Sequence, residues 1–358
     1  MLSKIILHKG KEVSLLRKHP WVFSGAIKVK EAGLKDGDLV EVFSIDNKYL
    51  ATGYYANGSI AVRVISFVQT SIDKNFWVEK IEKAYNYRKQ IGIVNEHTNA
   101  YRLFFGEGDG VPALVIDNYN GHIVMQAHNI GVYLQRNYIV EALQEVLGKQ
   151  IKSIYDKSSE TVSNKNNTQV KNEFLFGEAE NTVVLENNLK FFVDWSKGQK
   201  TGFFVDQRDN RKLVGTFSKN KTVLNTFAYT GGFSIYAGQG GAKLIHSVDV
   251  SAPAIEVCNK NAELNHIQNH EAFVADTFDF LKDKKDFYDL IILDPPAFAK
   301  SRDARHQAVN GYKRLNTLAM KQIKSGGILF TFSCSGVVDK FLFYNTIAAS
   351  AMEAGRNI

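Results

Sequence analysis

The sequence is poor in cysteine: Cys258 and Cys334 are the only two in 358 residues. Such a pair supplies neither the framework of a disulfide-stapled fold nor the clustered spacing of a zinc site, so no metal is expected. In a reducing compartment both remain thiols. Long apolar runs are missing too. No stretch approaches the ~18 residues of a spanning helix, and "MLSKIILHKGKEVSLL" has too short an apolar core for a secretory signal. A cytosolic chain with no membrane partner is expected. The GxGxxG spacing of a dinucleotide-binding turn is also absent from the loop where it would be sought, and "LDPPAF" has little of a nicotinamide enzyme about it. What is present is core material. Apolar residues make up 44% of the chain and aromatics 12%, which argues against disorder and suffices for two or three units with separate cores.

The formal charge of +7 is unevenly placed. Residues 1–35 carry Lys4, Lys9, Lys11, Arg17, Lys18, Lys28, Lys30 and Lys35 against Glu12 and Glu31, a local balance of +6. A basic cluster of this kind attracts polyanions, although an ordinary soluble surface can carry the same charge.

Three rhythms divide the chain. In residues 1–72 the strand pieces "LVEVFS", "YLATGYY" and "IAVRVISF" are separated by "IDNK" and "ANGS", and a small barrel fits their spacing because closure removes unpaired edges. In residues 73–190, Trp77, Ile81, Ala84 and Ile91 mark a helix whose stripe is interrupted by Arg88. Val132, Ile139, Leu143 and Val146 mark a second, and hairpin-like strands surround them as in an α+β unit. From 191 to 358 strands alternate with helices, which predicts a mainly parallel, doubly covered sheet with its ligands at the carboxyl ends of the strands. The chain stops after the helix that follows the fifth strand, so further strands beyond its C-terminus are expected to complete the sheet.

Five strand ends carry candidate chemistry. "NTFAYTGGF" (225–233) follows the first, where Gly231 and Gly232 permit close backbone approach and the next helix presents free amides, as either a cofactor loop or a plain strand-to-helix turn. Asp249 ends the second strand, suited to the hydroxyls of a ribose or to capping the next helix. Asp276 ends the third, suited to an adenine amino group or to a solvent-facing turn. Asp294, Pro295 and Pro296 close the fourth in a stiff turn that can hold an acceptor against a planar base. Cys334, in "FTFSCSG", ends the fifth on the same rim. Its thiolate can add to an electron-poor ring, or the thiol can be inert filler. Addition to carbon 6 of a pyrimidine makes carbon 5 nucleophilic toward a methyl sulfonium. Cys258 shares a helical face with Ile255 and Ala262 and is read as core.

"HPWVFSGAI" (19–27), "GQKTGFFVDQRDNR" (198–211), "VLNTFAYTGGFSIYA" (223–237), "LDPPAFAKS" (293–301), "GYKRLN" (311–316) and "TFSCSG" (331–336) together resemble the class I S-adenosylmethionine-dependent 23S ribosomal RNA cytosine-5 methyltransferases. The resemblance covers nearly the whole chain. It implies an α/β fold: a Rossmann-like methyltransferase domain preceded by a small PUA-like β-barrel and a central α+β domain. It implies Cys334 as covalent catalyst and Asp294 as the contact to the substrate base. S-adenosylmethionine falls around Gln207, Arg208, Asn225, Phe227, Thr230, Gly231 and Asp294, with Asp249 on the ribose and Asp276 near adenine. RNA contacts fall on Arg17, Lys18 and Lys300; the partner is 23S ribosomal RNA or a large-subunit precursor, and the assembly a homodimer. Ala297 departs from the family, where lysine is common at that position, and Lys300 is the nearby cation. Two other readings stand beside this one: methylation of another RNA position, and a non-catalytic RNA-binding ribosome-assembly module that kept a cofactor fold.

Overall fold

The computed structural model describes residues 2–162, 169–179, 181–299 and 301–358. They form two compact units, Met1–Asn188 with Val193–Val205, and Leu189–Phe192 with Asp206–Ile358.

The first unit begins with β1 (Ser3–Leu7), α1 (Val13–Leu16), β2 (Trp21–Phe23), β3 (Ile27–Lys30), β4 (Leu39–Phe43), β5 (Tyr49–Tyr55) and β6 (Ile60–Ser66). The sheet order is β2-β6-β5-β4-β1-β3. Its two edge strands are consecutive in the chain, joined by the three-residue 3-10 turn Ser24–Ala26. Six strands whose ends must meet across so short a link are forced to curl, and the alternating Val40, Val42, Val62 and Val64 close the interior with Ile5 and Leu7. The seam is thus closed by the chain itself, because β2 and β3 are not hydrogen-bonded neighbours.

The central elements are α2 (Lys74–Gln90), β7 (Ala100–Phe105), β8 (Leu114–Tyr119), β9 (His122–Ala127), α3 (Ile130–Leu134), α4 (Arg136–Leu147), β10 (Ser153–Asp156) and β11 (Glu173–Phe176), with sheet order β11-β10-β9-β8-β7. Asp73 caps α2 by accepting from the Phe76 amide at 3.2 Å. Trp77, Ile81 and Ala84 are buried as the spacing predicts, but Ile91 lies past the helix end and is exposed. Arg88 keeps its place in the apolar stripe because Asp109 accepts both of its terminal nitrogens, one at 2.7 Å, and the Arg102 carbonyl accepts Nε. A buried arginine without such partners would be strongly destabilising.

The hairpin β12 (Asn181–Glu186) and β13 (Leu189–Asp194) turns through Asn187 and Asn188, both at positive φ. After it, "GQKTGFF" is tied to the central sheet. Thr201 donates to Asp117 Oδ2 at 2.6 Å, Asp117 also pairs with Arg102, and the buried Lys157 donates to the Gly198 carbonyl at 2.5 Å.

In the second unit α5 (Arg208–Phe217), a helix the sequence reading lacks, precedes β14 (Thr222–Thr226), α6 (Gly232–Gln239), β15 (Leu244–Asp249), α7 (Ala252–Leu264), β16 (His270–Val274), α8 (Thr277–Leu281), β17 (Leu290–Leu293), α9 (Arg305–Gln322), β18 (Ile328–Thr331) and α10 (Lys340–Ala354). All five strands are parallel, in the order β16-β15-β14-β17-β18. The winding reverses between β14 and β17, and a crevice for ligands belongs at the carboxyl ends of that pair. No helix among the described residues is long and apolar enough to cross a membrane.

Candidate active site

β14 places Asn225 one residue before its end, fully buried. Its Nδ2 donates to Ser234 Oγ at 2.9 Å, Ser234 lies 2.6 Å from Ser247 Oγ, and Ser247 lies 2.8 Å from His270 Nε2. An amide nitrogen only donates, so Ser234 accepts from Asn225, and the Ser234 and Ser247 hydroxyls carry the chain on to His270 Nε2. Burial drives the His270 imidazole down to about 4, which keeps it neutral in this chain. The chain of bonds fixes the Asn225 amide with Oδ1 turned the other way. That oxygen is buried and accepts no hydrogen bond from a described residue, which suits a donor carried by a cofactor.

The loop after β14 is bent sharply. Phe227 and Tyr229 both adopt positive φ, +52° and +48°, a conformation unusual for bulky side chains and found where surroundings over-determine the backbone. Gly231 has φ +78°, and a Cβ there would collide with Cys258 Sγ. Gly232 lies under Arg211, whose Cδ would be 2.9 Å from an added Cβ. Gly231 is therefore required by helix packing as well as by any ligand, whereas at Gly232 the Arg211 side chain alone would have to shift. Thr230 is buried, its carbonyl accepting from Asn261 Nδ2 at 2.8 Å. Cys258 is core as expected, and burial pushes its thiol up to about 11.

Asp249 is half-buried at the end of β15. One oxygen accepts the Tyr229 amide and the other the Ser251 amide, both at 2.9 Å, so this carboxylate ties the bent loop to the second strand. Each oxygen keeps a second lone pair for a hydroxyl. The cap of α7 is Ser251 instead. Asp276 is exposed and caps α8, accepting the Phe278 and Asp279 amides at 2.8 and 3.1 Å.

Leu293 pairs with Thr331, so the loops leaving β17 and β18 share one rim. Asp294 is half-buried there. The fifth strand is shorter than its sequence suggests: it ends at Thr331, and Cys334 lies three residues beyond. The Cys334 thiol is exposed and points to the Pro295 carbonyl at 3.6 Å. Helix α9 braces both loops. Tyr312, fully buried, meets the Phe298 ring edge-on at 4.8 Å and shares a 2.9 Å hydrogen bond with Ser335. Gly311 gives Phe298 room, since an added Cβ would lie 3.1 Å from its ring. Tyr312 and Ser335 were not among the sequence candidates; their signal was that both lie in the "GYKRLN" and "TFSCSG" stretches.

Gln207 and Arg208 sit at the start of α5, where Gln207 Oε1 accepts from Asn210 Nδ2 at 2.7 Å. Arg17 and Lys18 are exposed on the first unit, with the Lys18 ammonium 4.7 Å from the Phe67 ring. Lys300 lies outside the described residues.

A parallel sheet with its reversal between β14 and β17, a buried unpartnered acceptor on β14 and a carboxylate ending β15 define a class I S-adenosylmethionine-dependent methyltransferase. Residues 156–353 match the S-adenosylmethionine-dependent methyltransferase family, and residues 5–67 a PUA-like domain. Ribosomal RNA large subunit methyltransferase I of Vibrio cholerae is 40% identical over 368 residues, covering 100% of this chain and 92% of that protein. Its Aeromonas salmonicida counterpart is 40% identical over 362 residues, covering 99% and 91%. A structure described as a methyltransferase complexed with SAH superposes with a TM-score of 0.81 at 27% identity, covering 98% of this chain and 90% of that one. The chain belongs to the ribosomal RNA large subunit methyltransferase I family. It is an enzyme that uses S-adenosylmethionine, on an α/β fold with a PUA-like barrel and a central α+β part before the Rossmann-like domain.

Proposed function

We propose that the enzyme methylates carbon 5 of a cytosine in 23S ribosomal RNA, with Cys334 as nucleophile. The observation that carries this reading is the exposed thiol 3.6 Å from Pro295 at the rim of the parallel sheet. Bound S-adenosylmethionine supplies an electrophilic methyl on sulfonium. Cys334 as thiolate adds to ring carbon 6, carbon 5 becomes nucleophilic and takes the methyl as its bond to the sulfonium breaks and S-adenosylhomocysteine is released, a base removes the carbon-5 proton, and the Cys334 sulfur leaves with its electron pair. Asp294, held at the stiff double-proline turn, contacts ring nitrogen 3 and keeps the ring in register with the thiol.

Asn225, Phe227, Thr230, Gly231, Gln207 and Arg208 form the cofactor's surroundings, with Asp249 on the ribose and Asp276 toward the adenine. Residues 1–72 serve RNA binding through Arg17 and Lys18, residues 73–190 form the central domain and 191–358 carry the chemistry. The protein works in the cytosol as a homodimer, a state that light scattering of the full chain measures.

The test is methyl transfer to a 23S ribosomal RNA transcript by the parent and by Cys334→Ala, with nucleoside analysis of the product. The parent should yield 5-methylcytidine and the variant none. Near-normal turnover by the variant, or a product methylated on nitrogen, overturns the reading.

A further inference from the structure

A cleft opens in the first unit where the barrel and the central elements part. Asn57 and Ser59 of the β5–β6 turn and Arg63 of β6 line one side; His128 and Asn129, which follow β9, line the other. Beside Arg63 on the barrel's outer face, its cross-strand partner Tyr54 and the nearby Ile65 both enter the central hydrophobic cluster. An arginine at such a seam is costly, and burial lowers its pKa. Yet its guanidinium makes no hydrogen bond with a described residue, and neither do the side chains of Asn57, Ser59 and His128. Asn129 uses only Oδ1, which accepts the Gly131 amide at 2.7 Å and leaves Nδ2 to the cleft.

Two carboxylates are near. Asp36 accepts the Asn57 amide at 2.6 Å, and Glu107, the acid that favours the charged forms of Arg63 and His128, accepts the Trp21 indole at 3.0 Å. The side chains left without partners are mostly donors: a guanidinium, two carboxamides and a hydroxyl, converging from two sides. Asn57, Ser59 and His128 are exposed and open to solvent, whereas Arg63 is half-buried and Asn129 buried, so these two are the groups that a bound partner would stabilise most. A donor set centred on arginine suits a phosphate.

We propose that this cleft binds a phosphodiester of the RNA substrate, Arg63 taking its oxygens while Asn57, Ser59 and Asn129 donate to the remaining oxygens and the sugar. The inference rests on the RNA substrate proposed above. A second feature fits it: Trp21 pairs with Arg63 across β2 and β6, and with His19 and the exposed Phe23 it forms an edge-on aromatic group at 5.7 and 6.3 Å. Bases flanking the gripped phosphate meet that group as a stacking surface.

The experiment titrates a fluorescein-labelled 23S ribosomal RNA fragment with the full chain from about 50 to 200 mM salt, using the parent, Arg63→Gln and Ser59→Glu. Ser59 is exposed on a turn, so its glutamate variant tests the cleft without disturbing packing. Arg63→Gln should bind about tenfold more weakly, and the slope of log Kd against log salt should fall by about one. Ser59→Glu should also weaken binding, with SAH affinity unchanged in both. A parent that does not bind the RNA sinks the substrate reading. A parent that binds while both variants match it in Kd and slope sinks the cleft alone.

Discussion

Replacing Ser234 by alanine tests whether the buried hydrogen-bond chain from Asn225 to His270 sets the cofactor site. The substitution removes the oxygen that accepts from Asn225 Nδ2 at 2.9 Å and that lies 2.6 Å from Ser247. Asn225 is fully buried, so its amide donor is left without an acceptor at a cost of about 1–3 kcal/mol of stability. The amide is also free to turn over, putting nitrogen where Oδ1 stood. One lost orienting hydrogen bond, about 1 kcal/mol, weakens cofactor affinity roughly fivefold, and a mispointed donor weakens it further. Ser234→Thr keeps the hydroxyl and should retain most of the affinity. Calorimetric titration with SAH measures the affinity and urea unfolding the stability. Parent-like SAH affinity in Ser234→Ala would refute the reasoning.

Two further outcomes are expected. Tyr312→Phe keeps the ring against Phe298 and deletes the 2.9 Å bond to Ser335, so the loop carrying Cys334 loses its brace. Turnover should fall several-fold with SAH affinity unchanged, at a stability cost of about 1–2 kcal/mol; equal losses in both would mean that Tyr312 acts on the fold alone. Burial pushes the Asp156 carboxyl up to about 6, partly offset by the Ser158 hydroxyl and Arg136, and its Oδ2 has no partner among the described residues. Its folded pKa exceeds the ordinary value, so the buried charge destabilises above about pH 6, and the penalty fades as pH falls toward 3.8. Asp156→Asn should therefore gain about 1–2 kcal/mol at pH 8 and progressively less toward pH 5 by urea unfolding. A variant less stable than the parent at pH 8 contradicts this.

Much of the architecture was legible because element type is written in short-range periodicity. The alternation in "IAVRVIS" became β6 with Val62 and Val64 inward, and Trp77, Ile81 and Ala84 became the buried face of α2. Helix α5 escaped because "RDNRKLVGTF" has too few apolar positions to show a stripe; it is held by Arg211 and Val214, which are buried. Cys334 was legible as a rim residue, but the strand before it ends earlier than its apolar run.

The sequence by itself determined the alternation of strands and helices from β14 onward, the turns at Asp, Asn and Gly, and the family to which the motifs point, since each depends on neighbours within a few residues. Only the tertiary structure decided what those residues do for one another. Asp249 fastens the loop at Tyr229, Gly231 makes room for Cys258, and Tyr312 steadies Ser335, pairs separated by about twenty residues or more. Such partnerships depend on which surfaces the packed sheet and helices bring within hydrogen-bond or van der Waals reach. No spacing along the chain encodes that.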